Sequence, residues 1–190
     1  MTLAVLGGSF DPVHSGHVAM ARHVLEKGLA QKVLVVPAAL SPFKTSTAAP
    51  NEDRLEMVRL AFRAHEGCEI DDREIRRQGP SFMIDTLEEL HGENPGRDLR
   101  LVIGADNVPD FSRWHRATDI LTMAKILILG RQGHQENYSE YPASQFIFSP
   151  GFDQRVSSTE IRAILADGGP VGDLLPAAVY RHIQDNKLYS

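Results

Sequence analysis

Cysteine is almost missing from this chain. Cys68 is the one thiol among 190 residues, so no intramolecular disulfide staples the fold and no paired-thiol metal site is available; this usage suits a reducing cytoplasm. Positive charge is not in surplus either. Lys and Arg number 20 against 25 Asp and Glu, a net charge of −5 at pH 7, which removes the broad basic field that draws a protein to nucleic acid. Phosphate binding, if any, must come from a few local groups. No apolar run approaches the roughly 18–20 residues of a membrane span, and the opening residues enter a β pattern without a basic block and long apolar block ahead of it. The glycine spacing fits neither G-x-x-x-x-G-K-[ST] nor G-x-G-x-x-G, so a P-loop and a dinucleotide fingerprint are both excluded. Internal repeats, low-complexity tracts and interdomain linkers are lacking too. What remains is a chain of 42% hydrophobic residues, enough to fill the core of one domain over 1–190, with 157–190 as a helical C-terminal portion. The expectation is a cytoplasmic protein, off the membrane, with self-association left open.

Apolar runs of four to six residues alternate with helical stretches, the pattern of a parallel sheet covered on both faces. Strands are expected at 2–7, 32–37, 69–72, 99–104, 124–130 and 145–149, and helices at 15–28, 51–65, 81–91, 114–122, 157–167 and 176–186. Loops are expected at 38–50 and at 131–144, the latter containing Gly133, Asn137 and Pro142. The fold class is therefore α/β, a Rossmann-like open parallel sheet with helices on both faces. In such sheets ligands sit beyond the carboxyl ends of the strands, at a switch in strand order. Gly7-Gly8, the 38–50 loop, Gly104-Ala105-Asp106 and Ser157-Ser158 all follow expected strands, so they should gather along one edge.

The most informative run is Gly7-Gly8-Ser9-Phe10-Asp11-Pro12-Val13-His14-Ser15-Gly16-His17, directly after Leu3-Ala4-Val5-Leu6. It reads as a buried strand, a glycine turn and a helix beginning near Ser15 or Gly16. Gly7 and Gly8 let a phosphate approach the backbone, and the helix start offers unpaired N–H groups and a positive dipole end. Imidazoles at His14 and His17 can hydrogen-bond phosphoryl oxygens and, if protonated, offset developing charge. The bland alternative is a tight turn capped by Ser15 with two surface histidines. A His-x-x-His metal site lacks the third and fourth ligands that zinc needs.

A second phosphate-suited element is Val156-Ser157-Ser158-Thr159-Glu160-Ile161-Arg162. Ser157 with Glu160 forms the S-x-x-E pattern of a capping box. Ser158, Thr159 and Arg162 would present hydroxyls and a guanidinium at a helix start, while the plain alternative is a well-capped surface helix. Lys44 stands alone in the neutral 38–50 loop.

The first run resembles the nucleotidylyltransferase signature G-[ST]-F-D-x-x-H-x-G-H, and the second resembles that superfamily's S-S-T-x-I-R. Ser41-Pro42-Phe43-Lys44 is similar to its P-P-H-K loop, with Phe43 in place of the histidine. Three further stretches resemble one branch, the nicotinate mononucleotide adenylyltransferases. These are Glu74 through Gly79-Pro80-Ser81-Phe82-Met83-Ile84-Asp85-Thr86-Leu87, Ile103-Gly104-Ala105-Asp106 with Phe111 and Trp114, and the segment from Leu175-Pro176 to Leu188-Tyr189. The matches run over nearly the whole chain. One departure stands out: Phe82-Met83 occupies the place of the branch's Tyr-Thr.

The resemblance implies transfer of the adenylyl group of ATP to nicotinate mononucleotide, in the synthesis of NAD. The acceptor phosphate attacks the α-phosphorus and pyrophosphate leaves, so catalysis is positioning and charge stabilisation without a covalent intermediate. It implies catalytic roles for His14, His17, Lys44 and Arg162. ATP is expected against Gly7, Gly8, Ser9, Phe10, His14, His17, Gly104, Asp106, Ser158, Thr159 and Arg162. The acceptor is expected against Lys44, Phe82, Met83, Asp106 and Trp114; an indole face suits a pyridine ring, and a carboxylate suits a ribose hydroxyl pair. No surplus cation stands out near the acceptor segment; Arg76, Arg77 and Arg113 are the candidates, with surface charge as their plain alternative. Mg2+ is expected to arrive with ATP, with no resident metal site. The alternatives are a preference for nicotinamide mononucleotide, a sister transferase using phosphopantetheine or CTP, a nucleotide-binding regulator without turnover, and a purely structural protein.

Overall fold

In the computed structural model the described residues are 1–77, 79–130, 141–153 and 156–190. Six strands form one sheet in the order β3-β2-β1-β4-β5-β6: β1 (Thr2–Gly8), β2 (Lys32–Pro37), β3 (Cys68–Ile70), β4 (Asp98–Gly104), β5 (Lys125–Gly130) and β6 (Phe146–Pro150). Every pairing is parallel. Parallel strands need crossovers, and α-helices supply most of them: α1 (Ser15–Glu26), α2 (Asn51–Phe62), the short α3 (Arg73–Arg76), α4 (Met83–Glu93) and α5 (Ala117–Met123). After the sheet come α6 (Ser158–Ala166) and α7 (Ala177–Asp185). Of the expected 131–144 loop, residues 131–140, with Gly133 and Asn137, lie outside the described residues.

Alternation along β1 divides its side chains between two cores. Ala4 and Leu6 face a core with Ala21, Val24, Met57, Val58, Ile161, Val179 and Ile183, from α1, α2, α6 and α7. Leu3 and Val5 face a second core with Ile84, Leu87, Leu90, Ile120 and Leu121, from α4 and α5. With both faces covered, the inner strands are continuous apolar runs past their first residues, with Arg100 of β4 the exception.

The helix ends follow local chemistry. Gly28, at φ 63, lets the chain leave α1: its N–H bonds the Leu25 carbonyl (3.0 Å) and that of Leu29 bonds Val24 (2.9 Å), a Schellman pair. Lys187, at φ 51, does the same after α7, with the N–H of Leu188 reaching the Ile183 carbonyl at 3.0 Å. The chain places β2 and β3 on one side of β1, then β4, β5 and β6 on the other. That switch lies between β1 and β4, whose carboxyl ends are Gly7-Gly8 and Gly104. Ligands in open α/β sheets bind beyond such a point.

Candidate active site

A cleft of about 1030 Å³ opens at that switch. Gly7, Gly8, Ser9, His17 and Gly104 line its floor, and Phe82, Met83, Arg113 and Trp114 its far wall. A second hollow of about 340 Å³ adjoins it, bounded by His14, Gly16, His17, Gly104, Asp106, Ser157 and Ser158. His17, Met20, Gly104 and Asn107 belong to both. The two spaces therefore meet at an imidazole.

His14 precedes α1 as its N-cap and His17 lies one turn in. The backbone N–H of His14 donates to Nδ1 of His17 (3.3 Å), which replaces the Ser15 cap weighed in the sequence. The rings stack with centroids 3.7 Å apart, and Phe10 meets His17 edge-on at 4.8 Å. Burial lowers the His14 pKa to about 4 and, with help from His14, holds His17 well below its ordinary value. Both imidazoles are thus neutral at pH 7, so in the free protein they can offer hydrogen bonds but not the charge weighed in the sequence. Nδ1 of His14 is buried without a hydrogen-bond partner. Gly16 lies close beside it: a Cβ there would stand 3.0 Å from that atom, a tight contact that the imidazole would have to yield to.

Phe10 departs from the sequence expectation. It is 1% exposed, in the core beneath His17, and lines neither space. Its part is support, and its left-handed φ of 46 turns the chain from β1 toward α1. A Cβ at Gly7 would come within 2.4 Å of the Met83 methyl, the flexible end of a side chain that lies across the turn.

Lys44, Thr159 and Arg162 also line neither space, but the structure gathers them beside the turn. Arg162 Nη1 donates to the Asp11 carbonyl (2.6 Å) and Nη2 to the Thr159 hydroxyl (3.3 Å). Ser158 donates its hydroxyl to the Pro12 carbonyl (2.9 Å), fastening α6 to the signature turn. The cap of α6 differs from the expected box: Ser157 Oγ accepts from the Thr159 N–H (3.2 Å) rather than from Glu160. Burial lowers the pKa of Lys44, opposed by Asp11 and reinforced by repulsion from Arg162 and Arg54. Lys44 therefore shares one electrostatic neighbourhood with those three residues.

Where the acceptor is expected, Phe82 is the N-cap of α4 and Met83 its first residue, so the helix start lies at the cleft wall. Trp114 packs on Phe111 with ring centroids 5.6 Å apart. Arg76 and Arg77 are engaged elsewhere, with Asp72 and Glu89. Arg113 does border the cleft, holding Asp110 at 2.8 Å while its guanidinium lies 5.6 Å over the Phe43 ring.

Several groups escaped the sequence reading. Arg54 is fully buried and donates to the Ser9 carbonyl (2.5 Å), the Ala39 carbonyl (2.8 Å) and Asn51 Oδ1 (2.5 Å), clipping the glycine turn to the loop after β2. Its signal was available: Arg54, Met57, Val58 and Ala61 share one helical stripe, and a cation on an apolar stripe needs buried acceptors. Glu74, legible in the sequence only as the start of the 74–87 stretch, is buried at the cleft and accepts from the Thr86 hydroxyl (2.5 Å), and burial raises its pKa. His115 faces Phe82 with centroids 4.4 Å apart. Among the described residues, no three His, Cys, Asp or Glu side chains converge as a metal site.

Residues 5–164 match the cytidylyltransferase-like family model. The chain belongs to the cytidylyltransferase-like family. Relatives within reach of this member include a "Probable nicotinate-nucleotide adenylyltransferase" of Gemmatimonas aurantiaca, 35% identical over all of this chain and 92% of its own. A protein of the same name from Aquifex aeolicus is 41% identical over 75% of this chain and 84% of its own. Among solved structures, the Plasmodium falciparum nicotinic acid mononucleotide adenylyltransferase complexed with NaAD superposes with a TM-score of 0.81. It covers 99% of this chain and 97% of its own at 16% identity, which shows the common fold. No helix among the described residues is long and apolar enough to cross a membrane.

Proposed function

We propose that this family member transfers the adenylyl group of ATP to nicotinate mononucleotide, forming deamido-NAD and releasing pyrophosphate. The observation that carries the reading is the meeting of the two spaces at His17. One space runs to the hydroxyls at the start of α6, suited to phosphates; the other runs to an aromatic wall and the start of α4. The full-length relatives carrying the adenylyltransferase name support the same choice of acceptor.

In this reading an oxygen of the acceptor's 5′-phosphate attacks the α-phosphorus in line, and the bond to the bridging oxygen of pyrophosphate breaks. Neutral His17 donates a hydrogen bond to the α-phosphoryl oxygens as charge develops there, with His14 alongside. Gly7 and Gly8 allow the phosphates close approach. Ser158, Thr159 and Arg162 hold the β- and γ-phosphates, and Lys44 approaches from the loop. Asp106 accepts from a ribose hydroxyl pair. Trp114 flanks the pyridine ring, whose carboxylate meets the N–H groups of Phe82 and Met83; a main-chain contact of this kind does not depend on the branch's Tyr-Thr. Mg2+ would arrive with ATP and would supply positive charge at its phosphates. We place the reaction in the cytoplasm, without nucleic acid.

The test is pyrophosphate release from ATP and Mg2+ with nicotinate or nicotinamide mononucleotide in parallel. Release at least about tenfold faster with the acid form, a difference of about 1.4 kcal/mol in transition-state binding, is expected. Comparable or faster release with the amide would overturn the acceptor assignment, and silence with both would overturn the reaction.

A further inference from the structure

The signature turn and the segment after α7 meet at one carboxylate. Asp11 is 3% exposed, and three donors converge on its side chain. Oδ2 accepts from the Ala48 N–H (2.8 Å), and Oδ1 accepts from the Ala49 N–H (3.1 Å) and from the Tyr189 hydroxyl (2.8 Å). The two main-chain donors close the far end of the loop that carries Lys44. The carbonyl of the same Asp11 receives Arg162. One residue therefore joins the glycine turn, the lysine loop, the arginine of α6 and the chain beyond α7.

The local structure around Tyr189 is built to deliver its hydroxyl. His182 of α7 bonds Asp53 of α2 at 3.0 Å, and Val179 and Ile183 are buried beneath the helix. The Schellman turn at Lys187 then sends Leu188 and Tyr189 back against the core. Tyr189 itself has φ 64, a left-handed conformation that is unfavourable for an aromatic residue and persists where side-chain contacts hold it. Burial and the neighbouring Asp11 push its phenol pKa far up, so the hydroxyl stays a donor.

We propose that Tyr189 is a positioning residue of the phosphate site, holding Asp11 so that Asp11 in turn fixes the Lys44 loop and the Arg162 guanidinium. It touches neither substrate. Its effect on turnover rests on the adenylyl-transfer reading above, whereas its effect on the loop does not.

Tyr189→Phe removes the hydroxyl and keeps the ring. Two readouts separate positioning from packing. Trypsin cleavage after Lys44, followed by mass spectrometry well below Tm, should accelerate about tenfold, the scale of one lost hydrogen bond to a charged group, while other sites keep their rates. In steady state, KM for ATP should rise by a similar factor and KM for nicotinate mononucleotide by less than about twofold, since the acceptor wall is built from α4 and the segment at Trp114. In an Asp11→Asn background, the same Tyr189→Phe change should add less than about twofold to either readout, because the two residues act as one unit. Unchanged cleavage after Lys44 and unchanged KM for ATP, even with a lower Tm, would overturn the proposal, as would full additivity with Asp11→Asn. If the wild-type protein releases no pyrophosphate, the adenylyl-transfer reading fails while the cleavage experiment still decides the role of Tyr189.

Discussion

His14 and His17 stack with ring centroids 3.7 Å apart and planes 24° from parallel, and the main-chain N–H of one donates to the ring of the other. Stacked, desolvated imidazoles resist a proton: a charge on one would face the other with little water to screen it. The pair is thus neutral at pH 7, with His14 lining the smaller space and His17 lining both.

His17→Ala should reduce kcat by about 10²–10³, the usual cost of one lost transition-state donor. The far-ultraviolet circular dichroism should stay that of the wild type. Because both rings are neutral in the free protein, kcat/KM should show no fall as pH rises through 6.5. A descending limb there, absent from the alanine variant, would show that the imidazolium is the working form.

His14 also sets a pH dependence of stability. Its folded pKa, about 4, lies below the ordinary 6.5. As pH falls below 6.5, the unfolded chain therefore takes up the proton first. The stabilisation is full above that value and is lost progressively as pH falls towards 4. Between pH 7.5 and 5 this one group should cost about 2 kcal/mol of unfolding free energy. Urea unfolding at the two pH values measures it, and His14→Gln should flatten the difference by that amount.

Gly7 and Met83 should behave as a coupled pair. In Gly7→Ala the new Cβ displaces the Met83 methyl, the flexible end of a side chain, so stability should fall by less than about 1 kcal/mol. Met83 must then swing into the cleft, and KM for the acceptor should rise several-fold. Met83→Ala in the same chain should restore it. A Gly7→Ala enzyme with an unchanged acceptor KM would show that Met83 has free space elsewhere.

The frame of the molecule was legible because its strands are short apolar runs separated by helix-length segments, and Gly28 marks the end of α1 where an L-residue would be strained. The turn at Arg116, with φ 55, has no such marker, so the helix expected from 114 begins at Ala117 and Trp114 lies in an extended link before it. The short α3 helix escaped because four residues carry too little periodicity to register. At the site, the residues of the recognised motifs came together, but Phe10 went to the core. Motifs report which positions belong to a turn, not which side of the turn each faces. The meeting of Asp11 with Tyr189 was not legible, although both residues stand in recognised motifs, because they lie 178 positions apart and no local pattern encodes such a contact. Arg54 left a signal, a cation on an apolar helical stripe, but not the identity of its main-chain acceptors.

The alternation of β1 between two cores divides the support of the cleft between two layers. Phe10, Val13 and Ile161, which support the turn and α6, pack on one face of the sheet, whereas Phe82, Met83 and Trp114 pack on the other. In the adenylyl-transfer reading, the residues proposed for the acceptor therefore pack in a different core from those under the turn and α6, and Gly7 with Met83 marks where the two sides touch. The sheet acts as a partition, so repacking within the α4–α5 layer leaves the layer beneath α1 and α6 in place.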